Sequence, residues 1–91
     1  MSWSNTLKKS DIKKQRDLYK LIERLEKIEK KIEYVVEEMP LDIMNVLEDV
    51  YESEYYESVR GAHYDLDRES SNPLGALPEL EALISALQRL G

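Results

Sequence analysis

Leu18, Leu21, Leu25, Ile28, Ile32, Val35 and Met39 follow one another at spacings of 3-4-3-4-3-4. An α-helix turns once in about 3.6 residues, so this spacing puts all seven side chains on one face. Apolar residues at alternating steps of three and four are the pattern of a coiled-coil seam. Ile22 and Val36 widen the stripe on one flank. A helix carrying such a stripe is stable in water only when another helix covers it. The seam therefore predicts a helical partner, from the same chain or from a copy of it. Ser10 is placed as an N-cap with Asp11 in the first turn, and Trp3 and Leu7 extend the apolar face if the helix begins earlier. Glu23–Lys27 and Glu26–Lys30 are i,i+4 pairs in the favourable order.

Pro40, in the run Glu37-Glu38-Met39-Pro40-Leu41-Asp42, lacks an amide hydrogen and pushes Met39 away from helical geometry. The chain is expected to turn there and to open a second helix at Pro40 or Leu41. That helix carries the stripe Met44, Leu47, Tyr51, Tyr55, Val59, Ala62 and Leu66, flanked by Ile43 and Val50. Its mean step of about 3.67 residues is still helical. The stripe is aromatic in the middle and small at Gly61-Ala62, where a neighbouring backbone has room to approach. Ser70-Ser71-Asn72-Pro73-Leu74-Gly75 reads as a loop. Pro78 suits the first turn of a third helix, in which Leu80, Leu83, Leu87 and Leu90 repeat at seam spacing beside Ile84.

These signals predict a single all-α domain. Its parts are helices over about 8–39 and 41–69, a loop over 70–76, and a short amphipathic helix over about 78–90. The first two helices are expected to pair as an antiparallel, coiled-coil-like hairpin with the third docked on it, making a small helical bundle.

A chain of 91 residues buries only about 60–65% of its unfolded surface. With no Cys it has neither disulfides nor thiolate chemistry, and one His cannot make a multi-histidine metal site. No apolar run is long enough to span a membrane or to serve as a signal peptide. The reading is a cytoplasmic protein.

The net charge of −6 divides unevenly. Residues 1–33 carry ten basic and six acidic groups, a balance of +4, and residues 34–91 carry three basic and thirteen acidic groups, a balance of −10. The basic arm can lie along the acidic one, in one chain or between copies. Lys9, Lys13, Arg16, Lys20, Arg24, Lys27 and Lys31 form a basic ridge. Interleaved acids, the lack of an aromatic stacking platform and the overall negative charge argue against direct nucleic-acid binding.

One stretch, residues 49–67, holds Tyr51, Tyr55, Tyr56 and Tyr64 together with His63. Tyr56, Arg60, His63 and Asp67 are spaced 4-3-4 with Tyr64 beside them, and this face is expected to be exposed. Tyr51 and Tyr55 are expected to lie half-buried in the seam, with Glu52 among the acids around them. His63 and Asp67 could share a metal only with further ligands, and no Glu-x-x-His pair supplies them. No phosphate loop or nucleophile elbow is present. The sequence thus predicts a non-enzymatic interaction module without cofactors. It would bind another protein through Tyr51, Glu52, Tyr55, Tyr56, Arg60, His63, Tyr64 and Asp67, and form a homo-oligomer, a dimer or higher, through the Leu18–Met39 seam. The alternative is a small acidic inhibitor, antitoxin-like, immunity-like or phage anti-defence-like, that covers a basic surface. A third reading is an oligomer that sequesters a small ligand such as a nucleotide between subunits.

Overall fold

The computed structural model describes residues 9–34 and 37–91. They form four helices: α1 (Lys9–Ile32), α2 (Met39–Glu52), α3 (Tyr56–Glu69) and α4 (Leu77–Leu90). α1 packs on α2 and α4, and α3 packs on the same two, while the diagonal pairs do not touch. The four helices thus ring one core. Lys31–Asp42, Arg24–Asp49 and Lys14–Glu54 contacts run α1 and α2 antiparallel.

α1 buries Leu18, Leu21, Ile22, Leu25, Ile28 and Ile32 on one face. It ends at Ile32, seven residues short of the expected Met39, and Tyr34 N–H closes the last turn on the Lys31 carbonyl at 3.0 Å. Charge explains this boundary. Glu37 and Glu38 would oppose the dipole at the C-terminus of a longer α1, whereas they favour the N-terminus of α2 that they precede. Lys30 and Lys31 take the last turn of α1. Met39 is accordingly the first residue of α2 and buried there; Val35 and Val36 lie outside the described residues, as do Trp3 and Leu7. Ser10, expected to cap α1, lies inside it.

The single helix expected over 41–69 is two helices. No Pro or Gly marks the break. Ser53 makes it: its backbone is extended (φ −86°, ψ 159°), its N–H and its hydroxyl both reach the Val50 carbonyl, and its Oγ accepts from the Tyr55 N–H at 3.3 Å. A serine that satisfies neighbouring backbone groups in this way offers the chain an alternative to helix continuation. The break resets the helical phase. α2 buries Met39, Ile43, Val46, Leu47 and Val50, and α3 buries Val59, His63 and Leu66. Met44 and Tyr51, expected in the stripe, are exposed at 54% and 44%. Gly61 faces open space rather than a packed backbone.

The loop 70–76 is tied by Asn72, whose N–H reaches the Glu69 carbonyl at 2.9 Å and whose own carbonyl accepts from Ala76 N–H at 3.0 Å. A Cβ on Gly75 would meet the Glu69 carboxylate at 2.8 Å and the Asn72 amide at 2.9 Å, so a side chain there would push both aside. α4 carries Pro78 in its first turn and buries Leu80, Leu83, Ile84 and Leu87, while Leu90 is 39% exposed. No helix among the described residues is long and apolar enough to cross a membrane.

Candidate functional site

The tyrosine-rich stretch divides between two sides of the bundle. Tyr55 turns to α1, where its hydroxyl donates to the Lys14 carbonyl. Burial there raises its phenol above the ordinary value, with help from Glu54 and Asp17. Glu52 lines the α1–α2 groove with Asp17, Lys20, Arg24 and Asp49. Neither residue joins the other six members of the set expected from sequence.

Those six gather on the α2–α3 side, and His63 is at their centre. The sequence placed His63 on an exposed face, but its side chain is fully buried. Within α3 His63 lies one turn from Val59 and one turn from Leu66, both expected inward and both buried, so it shares their face. Three tyrosines pack against the imidazole edge to face. Their ring centroids are 3.9 Å away for Tyr51, 5.3 Å for Tyr56 and 6.3 Å for Tyr64. Tyr51 from α2 and Tyr56 from α3 stack on each other at 5.0 Å across the Ser53 link. Neither imidazole nitrogen makes a hydrogen bond of ordinary geometry, and the Leu47 main chain is the nearest polar backbone group acting on the ring.

Burial lowers the pKa of His63 below its ordinary value, against the pull of the Asp67 carboxylate and the Leu47 main chain, so the neutral imidazole is favoured. The phenols go the other way. Tyr56 is raised by its Tyr64 neighbour and by desolvation, and Tyr51 by desolvation and by Asp67. Tyr51 and Tyr56 therefore remain neutral donors near pH 7.

Arg60 and Asp67 flank this cluster from exposed positions. Arg60 lies 4.0 Å from Glu57 and holds no other ion pair among the described residues. On α2, Leu41, Met44 and Tyr51 are exposed at steps of three and seven, hence on one face. Tyr64 on α3 is 54% exposed. Among the described residues no group of three His, Cys, Asp or Glu side chains is placed to hold a metal ion. Of the seam residues, Leu18, Leu21, Leu25, Ile28, Ile32 and Met39 are all buried within the one chain. A second copy could reach them only by opening the bundle.

The chain matches no protein-family model, no curated protein and no solved structure.

Proposed function

We propose that this chain is a non-enzymatic helical module that docks another protein on the outer face of α2 and α3. The observation that carries the reading is the exposure of Leu41, Met44 and Tyr51 along one face of α2, with Tyr64 exposed on α3. Exposed aromatic and Met side chains with an Arg at their edge are the composition of interface hot spots. Gly61 adds to this. It sits on the surface of α3 beside Arg60 and one turn from Tyr64, and the space over it is open to an approaching backbone. A bare glycine in a helix interior costs about 0.5–1 kcal/mol relative to Ala, a cost that a close contact would offset.

Charge defines the partner's chemistry. Lys14, Arg24 and Lys31 of α1 are paired with Glu54, Asp49 and Asp42. Glu48, Glu57 and Asp67 remain exposed around the α2–α3 face without a cross-helix cation. The face suits an apolar element flanked by basic groups. The same rim favours the second reading, an acidic inhibitor that covers a basic surface. Leu18, Leu21, Leu25, Ile28, Ile32 and Met39 of the stripe are buried within one chain, so self-association through them would need the bundle to open. A homo-oligomer, if it forms, uses the α2–α3 face.

The test compares wild type with Met44→Ala and Tyr64→Ala in side-by-side capture from native lysate, with light scattering for mass. Both positions are exposed, so the variants should keep the wild-type helical spectrum. The reading expects a basic protein held by wild type and lost from both variants. A partner retained by both, or displaced only by changes on α1, would overturn it.

A further inference from the structure

We propose that His63 is a pH-sensitive latch on the α2–α3 seam, whose protonation in mildly acidic solution loosens these two helices from each other. The latch is a property of the fold and does not depend on what the face binds.

Two geometric facts carry the inference. The first is the full burial of an imidazole whose nitrogens make no hydrogen bond of ordinary geometry. Protonation would add a second N–H donor and a charge to a ring shut away from water, where the Leu47 main chain is the one polar backbone group that bears on it. The second is where the ring sits. Of the four helix contacts, α2–α3 is the most thinly packed. Its seam holds His63, Tyr51 and Tyr56, and the link beside it is the short turn at Ser53. A charge placed there acts on the seam with the least packing to resist it.

The groups that bear on the ring are few. α2 presents the Tyr51 phenol and the Leu47 main chain, and α3 presents Tyr56, Tyr64 and Asp67, with Arg60 acting on Tyr56. Asp67 and the Leu47 main chain favour the cation, and of the two Asp67 is a carboxylate at an exposed position one turn along α3. Through it an opened seam would offer the imidazolium both water and a carboxylate.

The direction follows from the lowered pKa. The unfolded or opened chain takes up its proton near pH 6.5, before the closed fold does, so stability is full above that pH and falls as the pH drops below it. Glu29 has the opposite sign. Burial and its neighbours Glu81, Glu33 and Glu26 raise its pKa, so its protonation stabilises the fold as pH falls and cannot imitate the latch.

The chain has a single His, so its imidazole C–H resonance is read by NMR without ambiguity. The folded protein should titrate with a midpoint below about 6.5. Its Tm should fall by about 4–8 °C between pH 7.5 and 5.5, and His63→Leu should remove most of that fall. Amide exchange, corrected for intrinsic pH dependence, should rise at pH 5.5 over residues 51–64 and stay level in α1 and α4. A midpoint at or above 6.5 would overturn the latch. So would an equal pH effect in His63→Leu, or exchange that rises evenly across all four helices. The NMR and exchange measurements use wild type and decide the matter even if the variant fails to fold.

Discussion

The α1–α4 side and the α2–α3 side of the bundle are filled with different chemistry. Against α1, α4 sets Leu80, Leu83 and Leu87, all fully buried, opposite a stripe of Leu and Ile. Between α2 and α3 the filling is an imidazole and tyrosine rings. Aliphatic side chains interdigitate and leave no polar atom to satisfy. Aromatic and imidazole rings bring area together with donors that need partners. The first side holds the molecule together, and the second is where it can respond to its surroundings. The contrast explains why the exposed apolar residues of the structured α2–α3 region cluster beside the less robust seam.

The largest effects should come from the aliphatic side. Leu83→Ala removes a fully buried side chain and should cost about 2–5 kcal/mol. Leu83→Asp adds the burial of a charge and should unfold a domain whose total stability is of order 5–15 kcal/mol. Circular dichroism of the two variants checks this. A folded Leu83→Asp would mean that α4 is dispensable to the core.

This side was also the legible one. The Leu18–Ile32 stripe and the Leu80–Leu87 repeat are periodic, long enough to average out exceptions, and placed by helix geometry alone. The α2–α3 side was not, because one residue decides it. Ser53 breaks the helix through its hydroxyl, and serine elsewhere sits within helices, as Ser58 and Ser85 do here. Without the break, the phase set by Val59 and Leu66 carried back into α2 and turned Met44 and Tyr51 inward, while His63, one turn from each of those two, was read as outward although it shares their face. Tyr51, Tyr56, Tyr64, Arg60 and His63 do come together in space, but their exposure depended on a tertiary choice that spacing does not encode. Within one chain α2 and α4 cover the α1 seam.

On the aromatic side the expected effect is smaller and of opposite sign. At pH 7.5 His63→Leu replaces a polar ring lacking ordinary hydrogen bonds by an aliphatic group and should be neutral or stabilising, by at most about 1–3 kcal/mol. Leu66→Ala, one turn away and fully buried, should lose about 2–5 kcal/mol. Chemical denaturation of the pair sharpens the comparison directly. A His63→Leu loss as large as that of Leu66→Ala would show that the imidazole contributes as an ordinary core residue.

Gly61→Ala should stabilise by about 0.4–1 kcal/mol, because the position is helical with φ below zero and nothing lies within 4 Å of the added Cβ. The same methyl stands in the open space over α3. If a partner's backbone uses that space, the stabilised variant should bind less well, a split that a packing role would not produce. Thermal melts and partner capture on one preparation read both.

The smallest effect belongs to the surface charges that join the two sides. Arg24–Asp49 bridges α1 and α2, with both side chains nearly half-exposed at 42% and 46%. Water screens such a pair, and ordering two side chains offsets part of the attraction. A double-mutant cycle of Arg24→Ala and Asp49→Ala should therefore give a coupling of about 0.2–1 kcal/mol. Near-molar NaCl, where the screening length falls to about 3 Å, should reduce it further. Lys14–Glu54 and Lys31–Asp42 are similarly exposed, so the three together should lower Tm by only a few degrees when screened. A much larger salt effect would move weight from the aliphatic core to the charge ladder. The division of the chain into a basic α1 and an acidic remainder would then be a main source of stability, whereas the packing predicts that it sets register and leaves stability to the Leu and Ile side chains beneath.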